Sequence, residues 1–414
     1  DDYKVQVSFD LQGTQFTPNE YKPYSQKWED VDKQLLKPEN TQFGEHLSLT
    51  NPFRPETKQA YNSEMNFEEK IICAFQVLKK KMAWNGRYQL YSKELEKVIK
   101  KGSGSNADLN FILISILKDF GLEAYPVVMS RRSSGMLPYN FPSLQKLNTF
   151  FVTIHDINKQ KYVFLDSSMD VPAFNILPLE LSVNKARILS RKEKEENKWV
   201  NVMTLSNNKS FMKIDARIEG DQVKGHRSTV LYGQEAIEYQ ANENHKQDNL
   251  VSNPENKVSQ KEKLTVTNLK VKKQENDWAL IEEEFDFVLQ ADRTDDHLYI
   301  NPMLFPQLKS NPFIQTERVL PIEFPYPYKF TMLSTLTLPE GYEVEELPQS
   351  QSIRSEGDGL QCKYMIQQQG NTILLNYVFH LKGYIFLSEQ YKQLQELWAK
   401  VIEKNNALIV LKKI

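Results

Sequence analysis

Ser105, Asn106 and Asp108 stand together at the start of an apolar run that extends from Ala107 to Phe120. Unpaired amides at a helix start favour negative charge and can activate a nucleophile there. A serine at this place would need a general base, and asparagine is not a nucleophile. Capping is the simpler chemistry: Asn is among the best N-cap residues, and a first-turn carboxylate such as Asp108 is favourable for the helix itself. Asn106 is therefore expected to be a cap or turn residue. The other reactive side chains are scattered. Cys73 falls on a mostly apolar helical pattern, and Cys362 alternates with Leu360, Tyr364 and Ile366 on a strand face, so both are read as core cysteines. His46, His155, His226, His245, His297 and His380 show no metal-ligand spacing, and Asp292, Asp295, Asp296 and His297 read as a polar turn. No metal and no cofactor is expected. The string Gly102-Ser-Gly-Ser-Asn-Ala107 would suit a dinucleotide loop only after a strand, and a lysine-ended helix precedes it. Arg131 and Arg132 are the cations best placed for a ligand. Trp84 and Tyr88, beside Asn85-Gly86, either line a cleft or pack as an aromatic turn.

These residues need a scaffold, and the hydrophobic pattern predicts one. A helix is expected from Phe67 to Met82, opened by the capping pair Asn66 and Glu69 and closed by Lys79-Lys80-Lys81. A shorter helix follows near Ser92 to Lys101. The run from Ala107 to Phe120 is apolar almost all round, which predicts a helix buried on most sides and stopped by Gly121. Next come a strand over Glu123–Met129, a long loop with Arg131 and Arg132, and a hairpin of Thr149–Ile154 with Tyr162–Leu165. In that hairpin Asp166 lies near the start of the first strand and His155 at its turn end. Five or six residues at about 3.3 Å each separate them, so His155 is too far from Asp166 to act as its base.

Beyond Pro178 the pattern changes. A charged stretch over 191–198 reads as a linker. Strand-like runs then recur near 211–218, 263–272, 279–290, 329–338, 359–366 and 372–382, with a polar insertion over 241–263 expected to be a mobile loop. An amphipathic helix, Glu389–Asn405, and a last strand, Ala407–Leu411, end the chain. The expected domains are a remnant or edge strand within 1–20, an α/β core over 21–190, the linker 191–198, and an antiparallel β-sandwich with a C-terminal helix over 199–414, an α+β chain as a whole.

The chain has 414 residues, with 52 Lys and Arg against 54 Asp and Glu. That balance lacks the basic footprint of a nucleic-acid binder. No stretch approaches the ~20 apolar residues of a membrane-spanning helix. Two cysteines are too few for a disulfide framework.

The segment Gly104-Ser-Asn106-Ala-Asp108, leading through the apolar helix to Gly121-Leu-Glu-Ala-Tyr-Pro126, resembles the helix of transglutaminase-like proteins of the papain-like superfamily. Laid over the family's pattern, Gly104, Asp108 and Gly121 match and the nucleophilic cysteine falls on Asn106. The segments Asn148-Thr-Phe-Phe-Val-Thr-Ile and Tyr162-Val-Phe-Leu-Asp166 are similar to the family's histidine and aspartate strands, with Asn148 in the histidine place and Asp166 retained. Trp28-Glu-Asp-Val, Trp84-Asn-Gly-Arg-Tyr88, Asn311-Pro-Phe and Arg318-Val-Leu-Pro321 resemble segments of a cysteine-free exported branch in Bacteroides-type bacteria. The resemblance implies a transglutaminase-like core with flanking β-domains and an envelope or periplasmic location. It also implies a non-catalytic module that binds or scaffolds a peptide, glycan or protein. Ser105, Asp108, Trp84, Tyr88, Arg131 and Arg132 are the ligand-binding candidates. The competing reading is a peptidase or amide-transferring hydrolase that uses non-cysteine groups in the same cleft.

Overall fold

The computed structural model describes residues 13–15, 17, 20–23, 27–40, 42–137, 139–190, 198–248, 264–274 and 277–414. The strand expected over Lys4–Leu11, most of the linker 191–198 and residues 249–263 of the polar insertion lie outside the described residues. The fold is a mixed α+β one, dominated by sheets and carrying a C-terminal helix. The chain divides into two compact units, residues 1–205 and 206–414. No helix among the described residues is long and apolar enough to cross a membrane.

In the first unit, helices α1 (Trp28–Leu36), α2 (Arg54–Ala60), α3 (Phe67–Lys81), α4 (Leu95–Lys101) and α5 (Asn106–Asp119) precede a five-stranded sheet. The order across that sheet is Lys161–Leu165, Thr149–Asp156, Glu123–Met129, Ala186–Ile188 and Trp199–Val200. Helix α3 starts with the expected box: Glu69 N donates to Asn66 Oδ1 and Asn66 N to Glu69 Oε2. Helix α4 ends on Gly102 in the left-handed region, at φ +71°, where the missing side chain removes the steric penalty.

Helix α5 is buried from Asn106 to Leu117, as its all-round apolar pattern demands. Phe111, Leu113 and Ile114 share one core with α3 and with Phe150, Val152 and Ile154 of the sheet. The opposite face of the sheet is covered too, by a second cluster with Val127, Phe151, Phe164 and Leu181. Burial on both faces is why Thr149–Ile154 reads as a continuous apolar run rather than an alternating one. Arg187 and Asp32, both nearly inaccessible, tie α1 to the sheet: Arg187 Nε donates to Asp32 Oδ1 at 2.8 Å and a terminal nitrogen to Oδ2 at 2.6 Å.

In the second unit an eight-stranded sheet runs Leu264–Gln274, Asp277–Gln290, Gln222–Tyr232, Lys209–Glu219, Tyr328–Thr337, Thr372–Leu381, Leu360–Gln369 and Gln351–Arg354. One face packs on helix α7 (Tyr391–Asn405) and on a four-stranded sheet that includes His297–Ile300 and Ile409–Lys413. Tyr391, Leu394, Trp398 and Val401 are the residues α7 buries. Two expectations need correction. The large sheet is not wholly antiparallel, because Lys209–Glu219 and Tyr328–Thr337 pair parallel; alternation along a strand reports which face a residue occupies and carries no direction. The insertion expected to be a loop from Ala241 is helical up to Asp248, as the end of α6 (Gln234–Asp248).

Candidate functional site

The N-terminus of α5 faces the start of the Thr149–Asp156 strand. The cap is Ser105, one residue before the one expected. Its hydroxyl lies 3.3 Å from Asp108 N, and Asp108 Oδ2 accepts from Ser105 N at 2.8 Å and from Ser105 Oγ at 2.7 Å. Ser105 is almost inaccessible and bonded to a carboxylate that serves the cap. With the cap provided, Asn106 enters the helix and turns its side chain inward, fully buried.

An amide side chain has two N–H donors and one carbonyl acceptor to satisfy, and a buried one that fails costs about 1–3 kcal/mol per orphaned group. Asn106 satisfies all of them. Its Nδ2 donates to Thr149 Oγ1 at 2.8 Å and to Phe150 O at 2.9 Å, and its Oδ1 accepts from Gln89 N at 2.8 Å. One helical turn on, Asn110 repeats the pattern. Its Nδ2 donates to Phe150 O at 2.8 Å and to Asp166 Oδ1 at 2.9 Å, while its Oδ1 accepts from Ser167 N and Ser167 Oγ. Asp166 Oδ2 accepts from Ser168 N and Ser168 Oγ. The hydroxyl of Tyr88 lies 3.3 Å from Ser168 Oγ.

The electrostatics follow from burial. Asp166 is inaccessible, so desolvation raises its pKa, against the downward pull of the Ser168 and Asn110 bonds and of the nearby Lys79. Tyr88 is pushed up to about 12, first by burial and then by the negative charge of Asp166, so its hydroxyl stays a donor at any ordinary pH. Burial lowers Lys79, which Asp170 and Asp166 hold up in turn.

The expected triad positions therefore meet only in part. Asn106 and Asp166 join one buried network, but through Asn110 and the Phe150 carbonyl. Asn148 belongs to neither; its Oδ1 accepts from Arg131 N at 2.9 Å. The side chain that the strand sets against Asn106 is Thr149. His155 stacks on Tyr162, with ring centroids 4.6 Å apart, and lies 4.0 Å from Glu123. Among the described residues, no group of three or more His, Cys, Asp or Glu side chains is placed to hold a metal ion.

A cleft of ≈ 630 Å³ opens beside this network, lined by Arg87, Tyr88, Lys93, Asp108, Arg131 and Asn148 among others. It gathers four of the residues singled out by sequence. Trp84 stands behind Tyr88, its ring centroid 5.1 Å away, and donates Nε1–H to Arg87 O. Arg132 opens the short turn Arg132–Ser134 and is not part of this lining. Asn110, Thr149, Ser167 and Ser168 are absent from the sequence reading. Asn110 had a signal: it is four residues from Asn106 on one face of an otherwise apolar helix, a spacing that marks two polar groups sharing one buried partner.

Comparison with known proteins adds the fold. The profile of a Domain of Unknown Function with solved structure, DUF3858, matches residues 296–411. No curated protein matches. The chain is similar to the crystal structure of a candidate protease from Parabacteroides distasonis, at a TM-score of 0.53 and 11% identity. That likeness covers 98% of this chain and 63% of the other. The two share a fold; identity this low carries no activity across.

Proposed function

We propose that residues 21–190 form a transglutaminase-like core that has given up nucleophilic catalysis, and that the chain is an exported, envelope-located module. Its cleft binds a peptide, glycan or protein partner, and residues 206–414, the second compact unit, act as an accompanying β-domain. The observation that carries this reading is the complete internal use of Asn106 and Asn110. Every amide donor and acceptor there is bonded to Thr149, Phe150, Gln89, Asp166 or Ser167. A nucleophile needs a free lone pair and a base to take its proton, and this region presents a structural clasp instead. The fold likeness to a candidate protease supports the ancestry of the core and keeps the hydrolase as the competing reading.

The test is turnover. The purified chain and an Asn106→Cys variant are assayed for peptide hydrolysis and for amine incorporation into glutaminyl peptides. Both are expected to be silent, the variant because Thr149 offers its new thiol no base. Turnover by the natural chain above the protein-free rate would sink the non-catalytic reading in favour of the hydrolase.

A further inference from the structure

We infer that Arg131 is the anchor of the cleft and that it takes a carboxylate of a peptide ligand; this deepens the binding reading above and rests on it. The inference starts from how Arg131 is left. A guanidinium carries five N–H donors in a rigid fork. Among the described residues, Arg131 spends none of them in a hydrogen bond. Among the described residues its ion-pair partner is Glu180, with Nη1 and Oε1 3.7 Å apart, beyond hydrogen-bond length. Glu180 is also engaged by the Ser133 hydroxyl. Among the described residues, Nε of Arg131 is shielded from solvent and has no partner, which costs free energy, while the side chain as a whole keeps 30% of its surface open.

The backbone around Arg131 is fixed, which makes the group a presented one. Its N–H is held by Asn148 Oδ1, and its carbonyl accepts from Ser134 N at 2.9 Å. The surroundings favour an anion. Arg87 and Lys93 line the same cleft. Of the two acids in the lining, Asp108 is committed to the helix cap and Glu94 lies 2.5 Å from Lys97. A planar carboxylate matches the fork in a two-bond geometry that a neutral amide cannot reproduce. A peptide fits the rest of the cleft better than a sugar, because Tyr88 already packs on Trp84 and its ring is less available as a stacking surface. The volume is within the range of ligand sites in general.

The experiment is a pair of blocked pentapeptides, acetyl-Ala-Ala-Glu-Ala-Ala-amide and its Gln twin, titrated into the full chain at low salt by calorimetry. The Glu peptide should bind about tenfold or more tightly than the Gln peptide, the difference of about 1.4 kcal/mol that a charge-assisted pair supplies. Raised salt should shrink that margin. Arg131→Gln should erase the preference, and Arg131→Lys should keep part of it, which also covers the case in which Arg131→Gln fails to fold. Equal binding of the two peptides, or binding of neither at millimolar concentration, overturns the inference. So does tighter binding of an oligoglucuronate, or a preference that survives in Arg131→Gln. Mass spectrometry of the same mixtures separates the two claims: cleaved peptide would sink the non-catalytic reading, whereas intact peptides bound equally would sink only the role given to Arg131.

Discussion

Asn110 joins more of the buried network than any residue the motifs suggested. It connects the Phe150 carbonyl, the Asp166 carboxylate and Ser167; Asn110→Ala would take this partner from Asp166 Oδ1, Ser167 N and Ser167 Oγ at once, while the Phe150 carbonyl keeps Asn106. The expected loss is roughly 3 kcal/mol, measured as a shift in urea midpoint. The loss should depend on pH, with a sign set by Asp166. Burial holds its folded pKa above the unfolded value. Such a group contributes stability that is fully present below the unfolded pKa and is lost as pH rises through the folded one. The Asn110 bond pulls that pKa down, so removing it widens the gap. The deficit of the variant should therefore be smaller near about pH 4, around the unfolded Asp value, and larger at neutrality. Equal deficits at both pH values would mean that Asn110 does not stabilise the ionised carboxylate.

At the scale of elements, the site depends on how closely α4 and α5 approach through the turn between them. Gly104 has no left-handed φ to explain it, but a Cβ there would lie 2.5 Å from Val98 Cγ1 and 2.9 Å from Asp108 Cβ. Gly104→Ala should therefore cost about 1–3 kcal/mol through overpacking, read from the denaturant midpoint; an unchanged midpoint would show that the turn can yield. Gly225 meets the same constraint in the second unit, where a Cβ would lie 2.6 Å from Asp215 O and 2.8 Å from Phe287 Cζ. The strand Gln222–Tyr232 is absent from the runs read in the sequence because Lys224 to Thr229, Gly225 among them, carry no apolar side chain to alternate.

At the scale of the molecule, each unit encloses its own core. The cluster built on the eight-stranded sheet, the four-stranded sheet and α7 draws its residues from Met212 to Leu411. The clusters around α5 and the five-stranded sheet draw theirs from Trp28 to Val202. A fragment of residues 206–414 should consequently fold alone, with one cooperative urea transition. Its near-ultraviolet dichroism should report Trp398, which packs edge-on against Phe313 and Phe379. A broad, non-cooperative transition would show that the core needs the rest of the chain.

Local pattern sufficed for α3, α4, α5 and α7 and for the longer alternating strands, since a helix buried all round, a capping pair or an alternating strand writes its environment into neighbouring residues; α2, α6 and the short strands carry no such pattern and are missed. Asn66 with Glu69, the α5 run and the α7 stripe were legible for that reason. Asn106 was assigned the cap because cap preference ranks residue types without fixing which of two neighbours takes the role; Asp108, three residues after Ser105, decided it by closing the box on Ser105. Which side chain faces Asn106 was equally open, because a shift of one residue along a strand exchanges its faces, and only the packed register set Thr149 there while turning Asn148 to Arg131. The parallel pair at the centre of the large sheet and the unspent guanidinium of Arg131 belong to the same class. Both depend on which distant segments come together, and that is a property of the assembled core.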